Sequence, residues 1–403
     1  MEEKTKYQAI DAMKYIAALL VIAVHSDTLL SQPELNFFIK NIVCRIAVPF
    51  FFVSSAFFIR QGMKKNSNYL RNYLKGLTTS YLGWSVIFIP LGLDWIHQNV
   101  SVPAHLLPIA LIVGLLNVGT YYHLWYVPAL IFSLWAVAGL LKRFSYPVIF
   151  AGTFFFYLFG SLETYYGLLS EGWLKRFFDT YISLLFTTRN GLLFGMVFVL
   201  IGFFLYDYRN KLAGLASYAP LLTLLFGGLL ALEGMLIYNA HRLNMNFLIL
   251  LLPLSFFLCL WLLTSSLMNN RDTSTIREWS KHYYFVHPIC IILVEENFKA
   301  FDLQLPLEGV VRFLCSIALT HFISLAILHS LKQPMKVRPV LGSLLFGGWL
   351  TLILAGLFFH FKASTTVVTF ELVPCIWLFS SCLTYAFQSH SYWKNRDPLP
   401  THA

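Results

Sequence analysis

The chain has 403 residues, of which 58% are hydrophobic, 17% aromatic and only 12% charged, whereas a soluble domain carries about 25% charged residues. This composition excludes an ordinary soluble domain and predicts an all-α, polytopic bundle of transmembrane helices. The net charge of +10 is explained by basic cytoplasmic loops that face anionic lipid, so lipid is an expected partner and nucleic acid is not.

Hydropathy predicts about twelve membrane spans with both termini in the cytoplasm. This topology places 19 of the 29 Lys and Arg residues in inner segments and six in outer segments, as the positive-inside rule requires. The predicted spans lie near residues 10–30, 36–59, 74–96, 123–141, 146–166, 190–206, 216–238, 246–268, 283–300, 309–331, 341–361 and 367–388.

Three segments follow from this layout. The first ten spans form a predicted core over residues 1–331, residues 332–388 hold two additional helices, and residues 389–403 form a flexible cytoplasmic tail. Two shorter apolar segments, 104–118 and 173–188, are predicted to be interfacial or re-entrant helices.

The first span carries three ionisable side chains, Asp11, Lys14 and His25. Such groups are costly in hydrocarbon and indicate a functional site. Eleven residues make just over three helical turns, so His25 is expected only about 20° around the helix from Lys14. We predict that this face lines a protein cavity. The alternative is a packing histidine with a lysine that extends its amine to the cytoplasmic surface.

The second span contains Arg45, which is followed by Pro49. Placing an arginine within a membrane costs free energy, so its presence in a span indicates either a pairing partner or a function. In one interpretation Arg45 is neutralised by Asp11 or by a backbone carbonyl. In the other it is a permanent cation that holds an anionic group, such as a phosphate or a thioester oxyanion.

The fourth span is preceded by the sequence YYHLWYVPALIF, which starts at Tyr121. An aromatic belt at the outer membrane surface explains Trp125 and Tyr126 but does not explain His123. These side chains could equally line the entrance of a substrate site. Arg189 precedes the sixth span and is predicted to face the same outer vestibule, unless it only extends to the interface.

Near the ninth span, Ser280 and His287 lie seven residues apart, which puts them about 20° from a common face. His287 precedes Pro288, and a residue before proline is biased out of regular helix. Glutamates within predicted spans keep an ion-coupled transporter open as an alternative. They are Glu233, Glu295 and Glu296.

Five motifs occur in an order that resembles the acyltransferase-3 family of bacterial integral-membrane acyltransferases, over roughly residues 7–331. The motifs are Lys14-x10-His25, RIAVPFFFVSSAFF at Arg45, HLWYVPALI at His123, RNGLLFG at Arg189 and YFVHP at Tyr284. Two departures from the family pattern stand out. Lys14 replaces the usual arginine, which turns a bidentate anion contact into a point charge, and Ser55-Ala56 replaces the usual Ser-Gly.

The resemblance implies transfer of an acyl group, usually acetyl, from cytoplasmic acyl-CoA to a hydroxyl of a cell-envelope glycan or similar acceptor, by a multi-pass protein of the bacterial inner membrane. It implies a catalytic role for His25, helped by Lys14 and Arg45, and a donor site formed by Asp11, Lys14 and Arg45. Acetyl-CoA would be a co-substrate, and neither a permanently bound cofactor nor a metal is expected. The acceptor side is expected to be lined by His123, Tyr126, Arg189, Ser280 and His287.

Within that family, the HLWYVPALI and TRNGLLFG stretches look most like the membrane domain of vancomycin-resistance-type serine racemases. This implies an alternative function, binding or transport of a small polar solute such as L-serine for a cytoplasmic racemase partner. Lys14 or Arg45 would then hold the carboxylate. The chain is expected to be either a stand-alone relative or the membrane part of a longer protein.

Overall fold

A computed structural model of the chain describes residues 7–99, 112–268, 271–302 and 305–332. These described residues form helices joined by turns, and no strand occurs among them. The predicted spans near 341–361 and 367–388, the predicted tail and most of the segment 104–118 lie outside the described residues.

The α-helices of the described residues follow one another as α1 (Gln8–His25), α2 (Pro33–Phe38), α3 (Ala47–Lys65), α4 (Tyr69–Asn99), α5 (Tyr126–Leu140), α6 (Tyr146–Ser161), α7 (Trp173–Leu185), α8 (Met196–Asp207), α9 (Ala213–Ala216), α10 (Ala219–Leu236), α11 (Leu251–Thr264), α12 (Ser274–Ala300) and α13 (Glu308–Lys332). Shorter helical turns are π-helical at Ile39–Val43, Gly114–Val118 and Gly191–Gly195, and 3-10 at Cys44–Ile46 and Tyr166–Leu168.

Several of these helices have the composition of membrane spans. Within the described part of the chain, four are long and apolar enough to cross a membrane, namely Gln8–His25, Pro33–Lys65, Ala219–Leu236 and Glu308–Leu325. Four shorter apolar helices cover Tyr126–Leu140, Tyr146–Ser161, Gly191–Asp207 and Leu251–Thr264. The all-helical prediction is confirmed for the described residues, while the count of twelve spans and the cytoplasmic termini stay predictions.

Helix α1 is shorter than the first predicted span, because it ends at His25 rather than near residue 30. Ser26 has extended backbone, with φ −64° and ψ 153°. The Lys40 ammonium binds the carbonyl of Ser26 at 2.5 Å and that of Asp27 at 3.2 Å. A polar side chain therefore satisfies backbone groups that a continuing helix would have paired, and His25 is left at the helix end.

Helices α3 and α8 pack closely along one another, and α1 packs along α12. The first contact depends on Gly202 of α8, because a Cβ added there would lie 2.6 Å from the Cβ of Ala56 on α3. Small residues let helix backbones approach closely in membrane proteins. Gly202 on α8 faces Ala56 and leaves the space that this close approach needs.

Helix α12 contains Pro288 and nevertheless continues through it, from Ser274 to Ala300. The prediction that His287 leaves the regular helix is therefore wrong. Proline removes the backbone donor that would have paired with the carbonyl four residues earlier, which is that of Tyr284. The His287 ring binds the neighbouring carbonyl of Tyr283, at 3.0 Å from Nδ1.

The chain forms two compact units. The first comprises Met1–Ser85 and Pro108–Phe322 and contains every candidate site residue. The second comprises Val86–Leu107 and Ile323–Ala403, of which only residues 86–99 and 323–332 are described.

Candidate functional site

Helix α1 borders two cavities of very different size. Lys14, in its first half, lines a wide cavity of about 1090 Å³. His25, at its end, lines a narrow cavity of about 50 Å³. The eleven residue steps from Lys14 to His25 correspond to roughly 16 Å along the helix axis. One helix thus presents a cation to the wide cavity and an imidazole to the narrow cavity.

The wide cavity has a surplus of positive charge. Five basic and two acidic side chains line it, namely Lys14, Lys65, Arg209, Arg271, Arg277, Asp11 and Asp272. Tyrosines add hydroxyl groups and ring faces to the same wall. A concentration of cations in a cleft attracts polyanions, so this cavity suits a ligand with several negative charges.

Asp11 and Lys14 have separate partners within the wide cavity. The Asp11 carboxylate accepts a hydrogen bond from the Thr273 hydroxyl at 2.8 Å and lies 3.6 Å from the Arg277 guanidinium. The Lys14 ammonium lies 4.9 Å from the ring centre of Phe58. Asp11 therefore does not neutralise Arg45, because its carboxylate is bound by residues at the start of α12.

Arg45 lines the narrow cavity together with His25. Its guanidinium donates to the Oδ1 atoms of Asn246 at 2.6 Å and Asn41 at 3.1 Å. The Arg45 Nε and the Asn246 Nδ2 are buried and have no hydrogen-bond partner among the described residues. Two amide oxygens thus hold the cation without cancelling its charge.

Irregular backbone positions both arginines of the narrow cavity. Arg45 follows the π-helical turn Ile39–Val43 and belongs to a 3-10 turn. Arg189 lies just before the π-helical turn Gly191–Gly195, and its backbone N–H binds the Thr187 hydroxyl at 3.1 Å. Such π-helical turns are rare and occur frequently at functional sites.

The residues around Arg189 fix its position further. Its guanidinium lies 5.9 Å from the ring centre of Trp125. The adjacent Asn190 caps the following turn, because its Oδ1 accepts from the Leu193 N–H at 2.9 Å. The buried Glu163 carboxylate accepts from the Thr188 N–H at 3.0 Å and also from the Thr188 hydroxyl.

Three histidines meet beside the narrow cavity. The ring centre of His287 lies 5.5 Å from that of His25 and 5.3 Å from that of His123. Because a carbonyl only accepts, the His287 Nδ1 donates to Tyr283, and its Nε2 is buried without a partner. Among the residues the structure describes, no group of three His, Cys, Asp or Glu side chains could hold a metal ion.

The structure divides the predicted site residues into groups. His25, Arg45, His123, Tyr126 and Arg189 line the narrow cavity, and His287 touches two of them. Asp11 and Lys14 line the wide cavity. Arg45 was expected beside them at the donor site but lies with His25, since the turns before α3 carry it to the other cavity.

Ser280 belongs to neither cavity. It was expected on the acceptor side, but its hydroxyl donates to the Arg277 carbonyl at 2.9 Å. The shared helical face with His287 is therefore not enough to bring the two residues to one site, because a serine hydroxyl is short and bonds locally within its helix.

Sequence reasoning missed the two asparagines that hold Arg45. Asn41 precedes Arg45 by one helical turn, and polar pairs at this spacing face each other, so this partner was readable from the sequence. Asn246 lies 201 residues away in the turn before α11, and no local pattern indicates it. Glu163 was missed for the same reason.

A family profile described as an acyltransferase domain matches residues 7–329. The chain belongs to the acyltransferase-3 family. The resemblance predicted from the five motifs is thereby confirmed, and with the apolar helices of the structure it indicates a membrane protein.

Relatives of this acyltransferase-3 protein carry racemase names. An amino-acid racemase from Enterococcus faecalis is 28% identical over 348 residues, which is 83% of this chain and 47% of the relative. A second amino-acid racemase from that organism is 33% identical over 52% of this chain and 30% of its own length. A serine/alanine racemase from Enterococcus gallinarum is 32% identical over 49% of this chain and 29% of its own length.

The chain spans less than half the length of these curated relatives. No solved structure matches the chain.

Proposed function

We propose that this protein is an integral-membrane O-acyltransferase of the bacterial inner membrane. It moves an acyl group, acetyl in the simplest case, from cytoplasmic acyl-CoA to a hydroxyl of a cell-envelope glycan or similar acceptor. One observation carries this proposal. Helix α1 places Lys14 in a wide basic cavity and His25 in a narrow cavity that also contains two arginines.

The wide cavity is suited to the acyl donor. Coenzyme A carries several phosphate charges, and hydrogen bonds from ammonium and guanidinium groups to phosphate are among the stronger ones in proteins. Lys14, Arg271 and Arg277 line the cavity and supply such donors. The long pantetheine arm would then extend along α1 for roughly 16 Å and bring the thioester to His25.

The narrow cavity is suited to the chemical step. As the acceptor oxygen attacks the thioester carbonyl, the His25 imidazole takes the hydroxyl proton. Arg45 stabilises the negative charge that develops on the carbonyl oxygen. The carbon–sulfur bond breaks, an ester bond replaces it, and the departing thiolate takes the proton from His25. Alternatively, His25 accepts the acyl group as an acyl-imidazole and passes it on.

A second candidate function is binding or transport of a small polar solute such as serine. The racemase names of the relatives favour it. In this case Arg45 or Arg189 would hold the carboxylate of the solute, no acyl-CoA would be consumed, and a cytoplasmic racemase would use the delivered serine.

Thiol release from acetyl-CoA tests the acyltransferase proposal. We would measure it on purified protein in nanodiscs, with and without a cell-envelope glycan extract, for the wild type, His25→Ala and His241→Ala. His241 is exposed and lies outside both cavities, so it is the matched control. We expect the His25→Ala rate to fall at least about a hundredfold, the usual range for losing a general base.

Two results would contradict the proposal. Near-normal release by folded His25→Ala would remove the role of His25. No release by the wild type with any acceptor, together with uptake of labelled serine into proteoliposomes, would establish the second candidate instead.

A further inference from the structure

We propose that the narrow cavity contains a carboxylate subsite formed by Arg45, Arg189 and Asn246. The ligand of this subsite is a small hydroxy acid, with a hydroxyl close to its carboxylate. The assignment of that hydroxyl as the acylated group rests on the proposed function, whereas the subsite itself does not.

The charges around the cavity favour a carboxylate on the ligand. Arg45 and Arg189 both line it, and none of its described lining residues is acidic. The buried Glu163 lies outside this lining, and its side chain is bound to Thr188. A ligand carboxylate in the cavity would therefore meet two guanidinium groups and no acidic side chain of the described lining.

The buried donors that lack a partner favour a ligand group with two acceptor oxygens. The Arg45 Nε and the Asn246 Nδ2 are buried donors, and no residue that the structure describes accepts a hydrogen bond from them. Leaving such donors without acceptors costs free energy. The two residues are already joined by the 2.6 Å hydrogen bond from Arg45 Nη1 to Asn246 Oδ1. A carboxylate offers two oxygens to neighbouring donors and matches the planar arrangement of a guanidinium.

The size of the cavity limits what can carry that carboxylate. Its volume is about 50 Å³, while one water needs roughly 10–15 Å³ of such space and ordinary ligand pockets measure about 300–1000 Å³. Apolar walls from Phe51 and Phe194 close it further. A few heavy atoms fit and a sugar ring does not, so the acceptor presents a small hydroxy-acid group here.

His25 lines the same cavity, which places a base beside the bound carboxylate. A hydroxyl one or two carbons from the carboxylate would face the imidazole. Its oxygen forms the new ester bond as the carbon–sulfur bond of acyl-CoA breaks, and its proton passes through His25 to the departing thiolate. Serine and glycolate are the simplest probes with this arrangement.

Equilibrium binding tests the subsite without any acyl donor. We would measure binding of radiolabelled L-serine to purified protein in nanodiscs and compete it with glycolate, serinol or inorganic phosphate. Serinol has a hydroxymethyl group where serine has the carboxylate. We expect glycolate to compete, serinol to compete at least tenfold more weakly, and phosphate to compete more weakly than glycolate because it has no carbon-bound hydroxyl to face His25.

Substitutions then locate the binding. Arg45→Gln and Arg189→Gln should weaken serine binding at least tenfold. Asn246→Asp should do the same in a protein that folds, because the new carboxylate keeps the contact with Arg45 and occupies its donors. Arg176→Gln is the matched control, since Arg176 is exposed on α7 and lines neither cavity.

The proposal is overturned if serine does not bind, if serinol competes as well as glycolate, or if Asn246→Asp binds like the wild type. It is also overturned if phosphate is the strongest competitor.

Thiol release in the same preparations separates the carboxylate subsite from the proposed acyl transfer. If serine binds but no thiol is released from acetyl-CoA, the subsite is supported and acyl transfer is contradicted. If thiol is released with glycan extract alone, in protein that binds no carboxylate, acyl transfer is supported and the subsite is contradicted. Serine-stimulated release identifies a free hydroxy acid as the acceptor.

Discussion

The wide and narrow cavities use the same kinds of basic side chain under opposite physical conditions. In the wide cavity the Arg277 side chain is 59% exposed, and Asp11 lies close to it. Water and salt weaken such charges, so they act together as a field that attracts a polyanion. In the narrow cavity Arg45 has amide partners and an unmet buried donor. In this buried cavity each hydrogen bond to a ligand contributes to its affinity individually, so ligand recognition depends on the positions of the donors and acceptors.

His25→Asn should separate the two cavities most sharply. We expect kcat to fall at least about a hundredfold, since a general base is lost, while KM for acetyl-CoA changes less than twofold because the wide cavity is untouched. Steady-state thiol release at varied acetyl-CoA checks this. A raised KM with a preserved kcat would show that His25 serves donor binding instead.

Lys14→Gln should have the converse effect. Removing one cation from the wide cavity should raise KM for acetyl-CoA about tenfold, the loss expected for a charged hydrogen bond to phosphate, with kcat nearly unchanged. Lys14→Arg should retain wild-type KM, and Lys142→Gln, an exposed residue outside both cavities, should change nothing. An equal effect of Lys142→Gln would attribute the shift to general surface charge.

Ionic strength should distinguish the cavities without any substitution. Raising the salt from about 0.05 M to about 0.5 M shortens the screening length severalfold. We expect KM for acetyl-CoA to rise a few-fold, while the serine dissociation constant changes less than twofold. Equal salt dependence of the two constants would mean that the narrow cavity is as well hydrated as the wide one.

Ser280→Ala should have the smallest effect. The hydroxyl is used within α12 on the Arg277 carbonyl, so transfer rate, KM for acetyl-CoA and serine binding should all stay within twofold of wild type. Any larger change in serine binding would place Ser280 on the acceptor side after all.

Helical periodicity and membrane energetics predicted much of α1. The spacing of Lys14 and His25 indicated one helical face, and both residues line cavities. The spacing could not show that this face opens into two separate cavities, because that depends on which helices pack around α1. His123 and Arg189, which were predicted to face one outer vestibule, both line the narrow cavity, while its position relative to the outer membrane surface stays a prediction.

The remaining differences have two causes. Asn246 reaches Arg45 from a distant segment of the chain, and helical periodicity contains no information about such tertiary packing. Ser280 and His287 instead bind carbonyls of their own helix, three and four residues earlier. For these two residues, a shared helical face did not decide which partner each side chain binds.

The π-helical turn Ile39–Val43 makes the number of residues before Arg45 adjustable by one. Such a turn holds one residue more than an α-helical turn, so deleting that residue would relax the turn to α-helix and leave Arg45 nearly unrotated. A deletion within the regular helix α1 would instead rotate one half of the helix against the other by about 100° and would separate Lys14 from His25. Among homologous chains, single-residue gaps should therefore occur in the π turn and be rare between the lysine and the histidine.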